Sequence, residues 1–167
     1  MILVYTGNGK GKTSASVGQA VRALGRGMHV GFFQYMKQDG AAGEQTVLRS
    51  LLGDQYCAGG PGFLRDPEQF PAHREAALKL TERAVKRIPE LDLLVLDEAL
   101  YALDAAVLTQ AELRNIIALC EEHKTHLVVS GRNAPDWLCE TAHLVTEMGE
   151  VKHPYAQGIP ATRGIEF

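Results

Sequence analysis

The stretch YTGNGKGKTSAS, residues 5–16, decides the fold. It closes an apolar run, ILVYT (2–6). It then opens a segment in which Ala15, Val17, Ala20, Val21 and Leu24 recur at helical spacing, until Gly25 and Gly27 supply a stop. Strand, glycine turn, Gly11-Lys12-Thr13 and amphipathic helix, in that order, form a phosphate-binding loop. Its glycines let backbone N–H groups turn inward on an anion, the helix N-terminus adds partial positive charge, and Lys12 reaches between phosphates. The usual P-loop pattern begins with a glycine where this chain has Thr6, and glycines fall instead at 7 and 9, so the loop is a variant. Lys10 is a second ammonium beside Lys12. It either joins Lys12 on a polyanion or projects into water.

A second signal lies in LDLLVLDE (91–98), an apolar strand ending in Asp97 and Glu98. In P-loop proteins a carboxylate at that place holds Mg²⁺ opposite the loop's hydroxyl, here Thr13. Thr13, Asp97 and Glu98 are therefore the candidate ligands of Mg²⁺ or Mn²⁺. With the loop, they point to an ATP- or GTP-type nucleotide.

Outward from these motifs, HVGFFQY (29–35), HLVVSG (126–131) and HLVTEM (143–148) read as further strands, and their near-continuous apolar character suggests cover on both faces. Residues 73–88 place Ala77, Leu80, Ala84 and Ile88 on one helical face before Pro89. Thr109 and Glu112 make a capping box, flanked by the staple pair Leu108 and Leu113. They start a helix over about 110–123 with Leu113, Ile116, Ile117 and Cys120 inward. Alternating strands and helices predict an α/β fold of the P-loop NTPase, RecA-like kind: a mostly parallel sheet with helices on both faces. Residues 36–72, rich in glycine and proline, read as a long connection of functional character.

With 167 residues, 46% of them hydrophobic, the chain suits a single domain spanning 1–167. A net charge of −3, with both signs interspersed, gives no footprint for nucleic acid or an acidic membrane. No run approaches the ~18 apolar residues of a membrane span and no basic leader precedes Ile2, so the expected location is cytoplasmic. Cys57, Cys120 and Cys139 are widely spaced, which indicates neither a disulfide framework nor structural zinc. That spacing also disfavours a thymidine-kinase-like reading with a zinc ribbon. Trp137 reads as a helix packing residue.

From the motifs alone the enzyme could act at the γ-phosphate, as an ATPase or kinase with Glu98 as general base. More of the chain bears on the choice. TGNGKGKTSAS, FFQYMK (32–37), GGPGF (59–63), LLVLDEALYAL (93–103), VVSGRNAP (128–135) and the tail EVKHPYAQGIPATRGIEF (150–167) resemble the P-loop ATP:corrinoid adenosyltransferases. The resemblance runs from the first strand to the last residue. It implies attack by Co(I) of a reduced corrinoid on C5′ of ATP, release of tripolyphosphate, and a nucleotide lying reversed relative to ordinary P-loop enzymes. Lys12 and Glu98 are then the catalytic candidates.

The implied nucleotide contacts are Thr6, Gly7, Asn8, Gly9, Lys10, Gly11, Lys12, Thr13 and Ser14, with Arg22 further along the helix. Gly62-Phe63 matches a family pair implied to displace an axial ligand from cobalt, so Phe63 is the corrinoid candidate; Arg65 stands where the family has Trp. Some relatives have an N-terminal helix implied to cover the corrin of a partner subunit, whereas this sequence begins with the strand. The resemblance further implies a homodimer and an electron-donating flavoprotein reductase. His153 is read as structural or phosphate-facing rather than as a cobalt ligand. A corrinoid or nucleotide carrier without turnover remains a third class.

Overall fold

The computed structural model describes residues 1–167. Its strands are β1 (Ile2–Thr6), β2 (Val30–Gln34), β3 (Tyr56–Ala58), β4 (Leu93–Asp97), β5 (His126–Ser130) and β6 (Leu144–Glu147). All six join one sheet in the order β3-β2-β4-β5-β1-β6, and every pairing is parallel. Parallel neighbours need crossovers. The helices that supply them are α1 (Lys12–Leu24), α2 (Gly43–Leu52), α3 (Phe70–Arg87), α4 (Ala99–Asp104), α5 (Gln110–Glu122) and α6 (Asp136–Thr141).

The continuous apolar runs are explained by two cores, one on each face. Along β4, Leu94 and Leu96 enter the larger core with residues of α3, α4, α5 and α6, while Leu93 and Val95 enter the smaller one with α1 and α2. β5 divides likewise: Leu127 and Val129 go to the larger core and Val128 to the smaller. Successive side chains of a strand point to opposite faces, so a strand covered twice has no polar side to display.

Three expectations are corrected. The connection at 36–72 contains α2 and β3, the latter only three residues long and too short to show a period. In α1 the buried face is Ser16, Ala20 and Ala23, whereas Val21 is about half exposed. Small side chains let this helix settle on the sheet, and the Ser16 hydroxyl satisfies itself by donating to the Lys12 carbonyl at 3.0 Å. β6 is an edge strand with all four residues exposed, because nothing pairs beyond it.

The predicted start of α5 is present and does more than cap. Glu112 N–H donates to Thr109 Oγ1 at 3.2 Å and Thr109 N–H donates to Glu112 Oε2 at 2.8 Å. The same carboxylate accepts from Arg74 of α3 at 2.6 and 3.0 Å. Burial alone raises the Glu112 carboxyl, but the bonds from Arg74 and Thr109 outweigh it and hold the group below its usual value of 4.5. A depressed folded-state value contributes stability that is complete above the unfolded value and disappears as pH falls through the folded one. Glu112→Gln is therefore expected to cost about 1–2 kcal/mol at pH 7 and progressively less below pH 4.5, read by urea denaturation. An equal cost at pH 7 and pH 3 would exclude the carboxylate charge as the source.

Candidate active site

The sheet brings the two sequence motifs together. β5 lies between β1, which feeds the glycine loop, and β4, which ends in Asp97. At their carboxyl ends Thr13 Oγ1 sits 3.2 Å from both Asp97 oxygens. Asp97 is fully buried, and a buried carboxylate needs donors. It receives Ser130 Oγ at 2.6 Å from β5 and Gln34 Nε2 at 3.0 Å from β2. Neither donor was singled out from sequence. The available signal was a polar residue closing an otherwise apolar strand, in VVS and in GFFQ.

Glu98 follows in the left-handed region, with φ 59°, just before α4. Its N–H donates to Ser130 Oγ at 3.1 Å. Burial, reinforced by the negative charge of Asp97, pushes its carboxyl up to about 7. The group therefore exchanges its proton near neutrality.

The loop itself is closely packed. Lys12 Nζ donates to the carbonyls of Gly7 at 2.8 Å and Gly9 at 2.6 Å. Burial lowers its pKa and the charge of Arg132, in the turn after β5, lowers it further, against the opposing pull of Asp97 and Glu98. Gly9 N–H donates to the Met148 carbonyl at 2.7 Å. A Cβ on Gly9 would lie 2.6 Å from the Gly149 carbonyl oxygen, and one on Gly7 2.5 Å from that of Met148. The displaced glycine spacing thus has a structural reason: the chain beyond β6 presses directly on this loop. Thr6 does not face the cavity, and its hydroxyl instead accepts from Ala134 N–H at 3.2 Å.

A cavity of about 600 Å³ opens beside the loop. Lys10 to Ser14 form one wall, Lys37, Gly43 and Glu44 a second, and residues 164–167 a third. Of the expected nucleotide contacts, Lys10, Gly11, Lys12, Thr13 and Ser14 line it, whereas Thr6, Gly7, Asn8, Gly9 and Arg22 do not. Arg22 projects from α1 into solvent, 3.4 Å from Gln19 Oε1. Lys10 is not a free surface lysine: its ammonium donates to Glu166 Oε1 at 2.7 Å and to the Ile165 carbonyl at 2.6 Å.

Two further charged residues, missed from sequence because they fall in the supposed connection, complete the acidic side. Lys37 Nζ lies 2.6 Å from Glu44 Oε1, 3.2 Å from Thr13 Oγ1 and 3.5 Å from Asp97 Oδ2. A hydroxyl and carboxylates around a cation make a hard, oxygen-rich donor set that suits Mg²⁺ or Mn²⁺. The backbone of Lys37 is seated in turn on the GGPGF loop. Gly60 N–H donates to the Lys37 carbonyl and Gly62 N–H to that of Met36, both at 3.1 Å. Phe63, at the end of this loop, is 70% exposed, with the Arg65 guanidinium 5.8 Å from its ring centre. Arg65 thus lies over the one aromatic of this loop.

Other residues are structural. His153 Nδ1 accepts from Tyr155 N–H at 3.2 Å and caps a short turn. Trp137 packs on the larger core under the Arg114 guanidinium, 3.8 Å from its ring. The three cysteines are free, and no helix is long and apolar enough to cross a membrane.

A glycine loop with Lys-Thr after β1, a buried aspartate at the end of β4 and one strand between them define a P-loop α/β protein. The family model for the ATP:corrinoid adenosyltransferases BtuR/CobO/CobP matches residues 1–167. The chain is 38% identical to a corrinoid adenosyltransferase of Pseudomonas aeruginosa, covering 100% of this chain and 83% of that protein. It is 36% identical to one of a Sinorhizobium species (100% and 80%) and 31% identical to the corrinoid adenosyltransferase CobA of Salmonella typhimurium (100% and 85%). The chain belongs to the ATP:corrinoid adenosyltransferase family and is an enzyme that transfers an alkyl group.

The seat of Lys37 is testable without any ligand. A Cβ at Gly60 would lie 2.2 Å from the Tyr35 carbonyl oxygen and 2.3 Å from the Met36 carbonyl carbon. Gly60→Ala is expected to lower stability by roughly 1–3 kcal/mol, seen as a lower urea midpoint, since backbone on both sides must shift. An unchanged midpoint would mean that the loop is not held as described.

Proposed function

We propose that the enzyme transfers the 5′-deoxyadenosyl group of ATP to the Co(I) form of a corrinoid. The electron pair of Co(I) attacks C5′, a cobalt–carbon bond forms, the bond from C5′ to the α-phosphate oxygen breaks, and its electrons leave with tripolyphosphate. The observation that carries this reading is the cavity wall. The ammonium groups of Lys10, Lys12 and Lys37 and the N-terminus of α1 surround one space of about 600 Å³, an arrangement suited to a long polyanion. Displacement at carbon accumulates charge on the departing oxygens, and donors already aimed at them favour departure without reorganisation.

Within that scheme Lys12 exchanges its Gly7 and Gly9 carbonyls for phosphate oxygens. Thr13, Asp97 and Glu98 are the residues that would hold Mg²⁺ or Mn²⁺, which when bound supplies further positive charge to the phosphates. Ser130 and Gln34, donating to Asp97, hold its carboxyl group beside Thr13. Phe63, exposed on a loop attached to the Lys37 backbone, is assigned to the axial side of the corrinoid, where an apolar wall denies cobalt a ligand and eases reduction of Co(II). By kinship we take the enzyme as a cytoplasmic homodimer that receives electrons from a flavoprotein reductase.

One observation favours a second reading. Glu98, partly buried beside Asp97 and with its carboxyl pushed up to about 7, has the character of a general base for water at the γ-phosphate. Anaerobic incubation with MgATP, a strong reductant and hydroxocobalamin separates the two. Tripolyphosphate with a light-sensitive alkylcobalt spectrum is expected; orthophosphate formed without corrinoid would establish the second. Binding with neither product would mean a carrier.

Two substitutions sharpen the assignment. Lys12→Ala is expected to lower kcat by about 10²–10³, the size of a lost oxyanion donor, and a wild-type rate would remove Lys12 from the chemistry. Phe63→Ala should slow Co(II) reduction more than adenosylation of pre-reduced Co(I). Equal slowing of both steps would reject its axial role.

A further inference from the structure

Lys37 stands apart from the other two lysines of the cavity. Lys12 is held by backbone carbonyls and Lys10 by residues 165 and 166, so neither touches the acidic side. Lys37 alone forms ion pairs with Glu44 and Asp97, and it contacts Thr13 as well. Its surroundings are thus the Thr13 hydroxyl and the Asp97 carboxylate, two of the groups that would ligate a divalent ion, with Glu44 added. Gln34 ties the set together by donating from Nε2 to both Asp97 Oδ2 and Glu44 Oε1, at 3.0 and 3.2 Å.

We propose that Lys37 is the resident counter-cation of the acidic site: its ammonium and a divalent ion compete for Thr13, Glu44 and Asp97, and arrival of the metal hands Lys37 to the polyphosphate. An ammonium and a divalent ion repel each other at those same oxygens, so occupancy by one weakens occupancy by the other. The lysine stem rises from the same cavity wall that Lys10 and Lys12 face, so a displaced ammonium stays within that space. Lys37 is therefore a positioning residue for the metal and a third clamp on the leaving group. Uncomplexed protein would bind metal weakly, and nucleotide and metal would load together. The second half of this proposal rests on the nucleotide reading above; the first half does not.

The test is Mn²⁺ affinity without nucleotide, followed by the EPR signal of free Mn²⁺, in the wild type, Lys37→Met and Lys10→Met. Lys37→Met is expected to bind Mn²⁺ at least about tenfold more tightly than the wild type, because the competing cation is gone. Lys10→Met, which removes one charge from the same cavity without touching Glu44 or Asp97, is expected to change it less than about threefold. A purely structural role for Lys37 predicts equal or weaker binding. Unchanged Mn²⁺ affinity in Lys37→Met, or an equal rise in Lys10→Met, overturns the proposal. Thermal melting confirms folding, and Lys37→Gln replaces the Met variant if that fails to fold.

The second arm measures the magnesium complex of a non-hydrolysable ATP analogue by calorimetry. Lys37→Met is expected to bind it about tenfold more weakly, opposite in direction to the Mn²⁺ result. Equal affinity would reject the hand-over to phosphate. Failure of the wild type itself to bind the analogue would overturn the nucleotide reading, while the Mn²⁺ comparison would still decide the counter-cation.

Discussion

A negative charge removed from water organises this molecule. Asp97 has no exposed surface, so its carboxyl oxygens must be met by donors from the protein. The donors come from β2, β5 and the start of α1, in Gln34, Ser130 and Thr13. Meeting that single requirement therefore pins the carboxyl ends of three strands and the phosphate loop to one another. The register agrees: Gln34 pairs directly with Asp97 across the β2–β4 ladder. Open parallel sheets take ligands beyond their carboxyl ends, and here that edge is made rigid by the carboxylate that also serves the site.

The rest of the catalytic edge is layered on this anchor. Ser130 contacts both acids, donating to Asp97 and accepting from the Glu98 backbone, so the two carboxylates hold a fixed relation although their environments differ. Asp97 is saturated with donors; Glu98 is partly buried with a like charge beside it and titrates near neutrality.

Much of this was legible in the sequence. Strand and helix periods placed five of the six strands, the stops of α1 and α3, both ends of α5, and the capping box at Thr109 and Glu112, because those signals are local, whereas the first turn of α3 at Phe70 fell within the supposed connection. The P-loop and the Asp97-Glu98 pair were legible for the same reason. What escaped depended on tertiary contact. β3 is too short to carry a period, and α2 hid in a glycine-rich stretch, so Lys37 and Glu44 were lost with the connection assigned there. Gln34 and Ser130 read as strand ends; only the sheet order makes them neighbours of Asp97. The inward face of α1 was misjudged because small residues, Ser16 among them, approach the sheet more closely than Val21 can. Glycines 7 and 9 looked like phosphate ligands, yet the segment after β6 already requires them.

The bond between Gly60 and the Lys37 carbonyl has a practical implication for altering this enzyme. One peptide unit carries a lysine toward the acids and also anchors the loop that ends at Phe63. Under the roles proposed for Phe63 and Lys37, a change in acceptor range would bring a change in metal requirement with it. A library randomised over residues 59–63 to admit bulkier tetrapyrroles should be screened at several divalent-ion concentrations, since selection at a single one would discard variants whose only fault is a shifted ion demand.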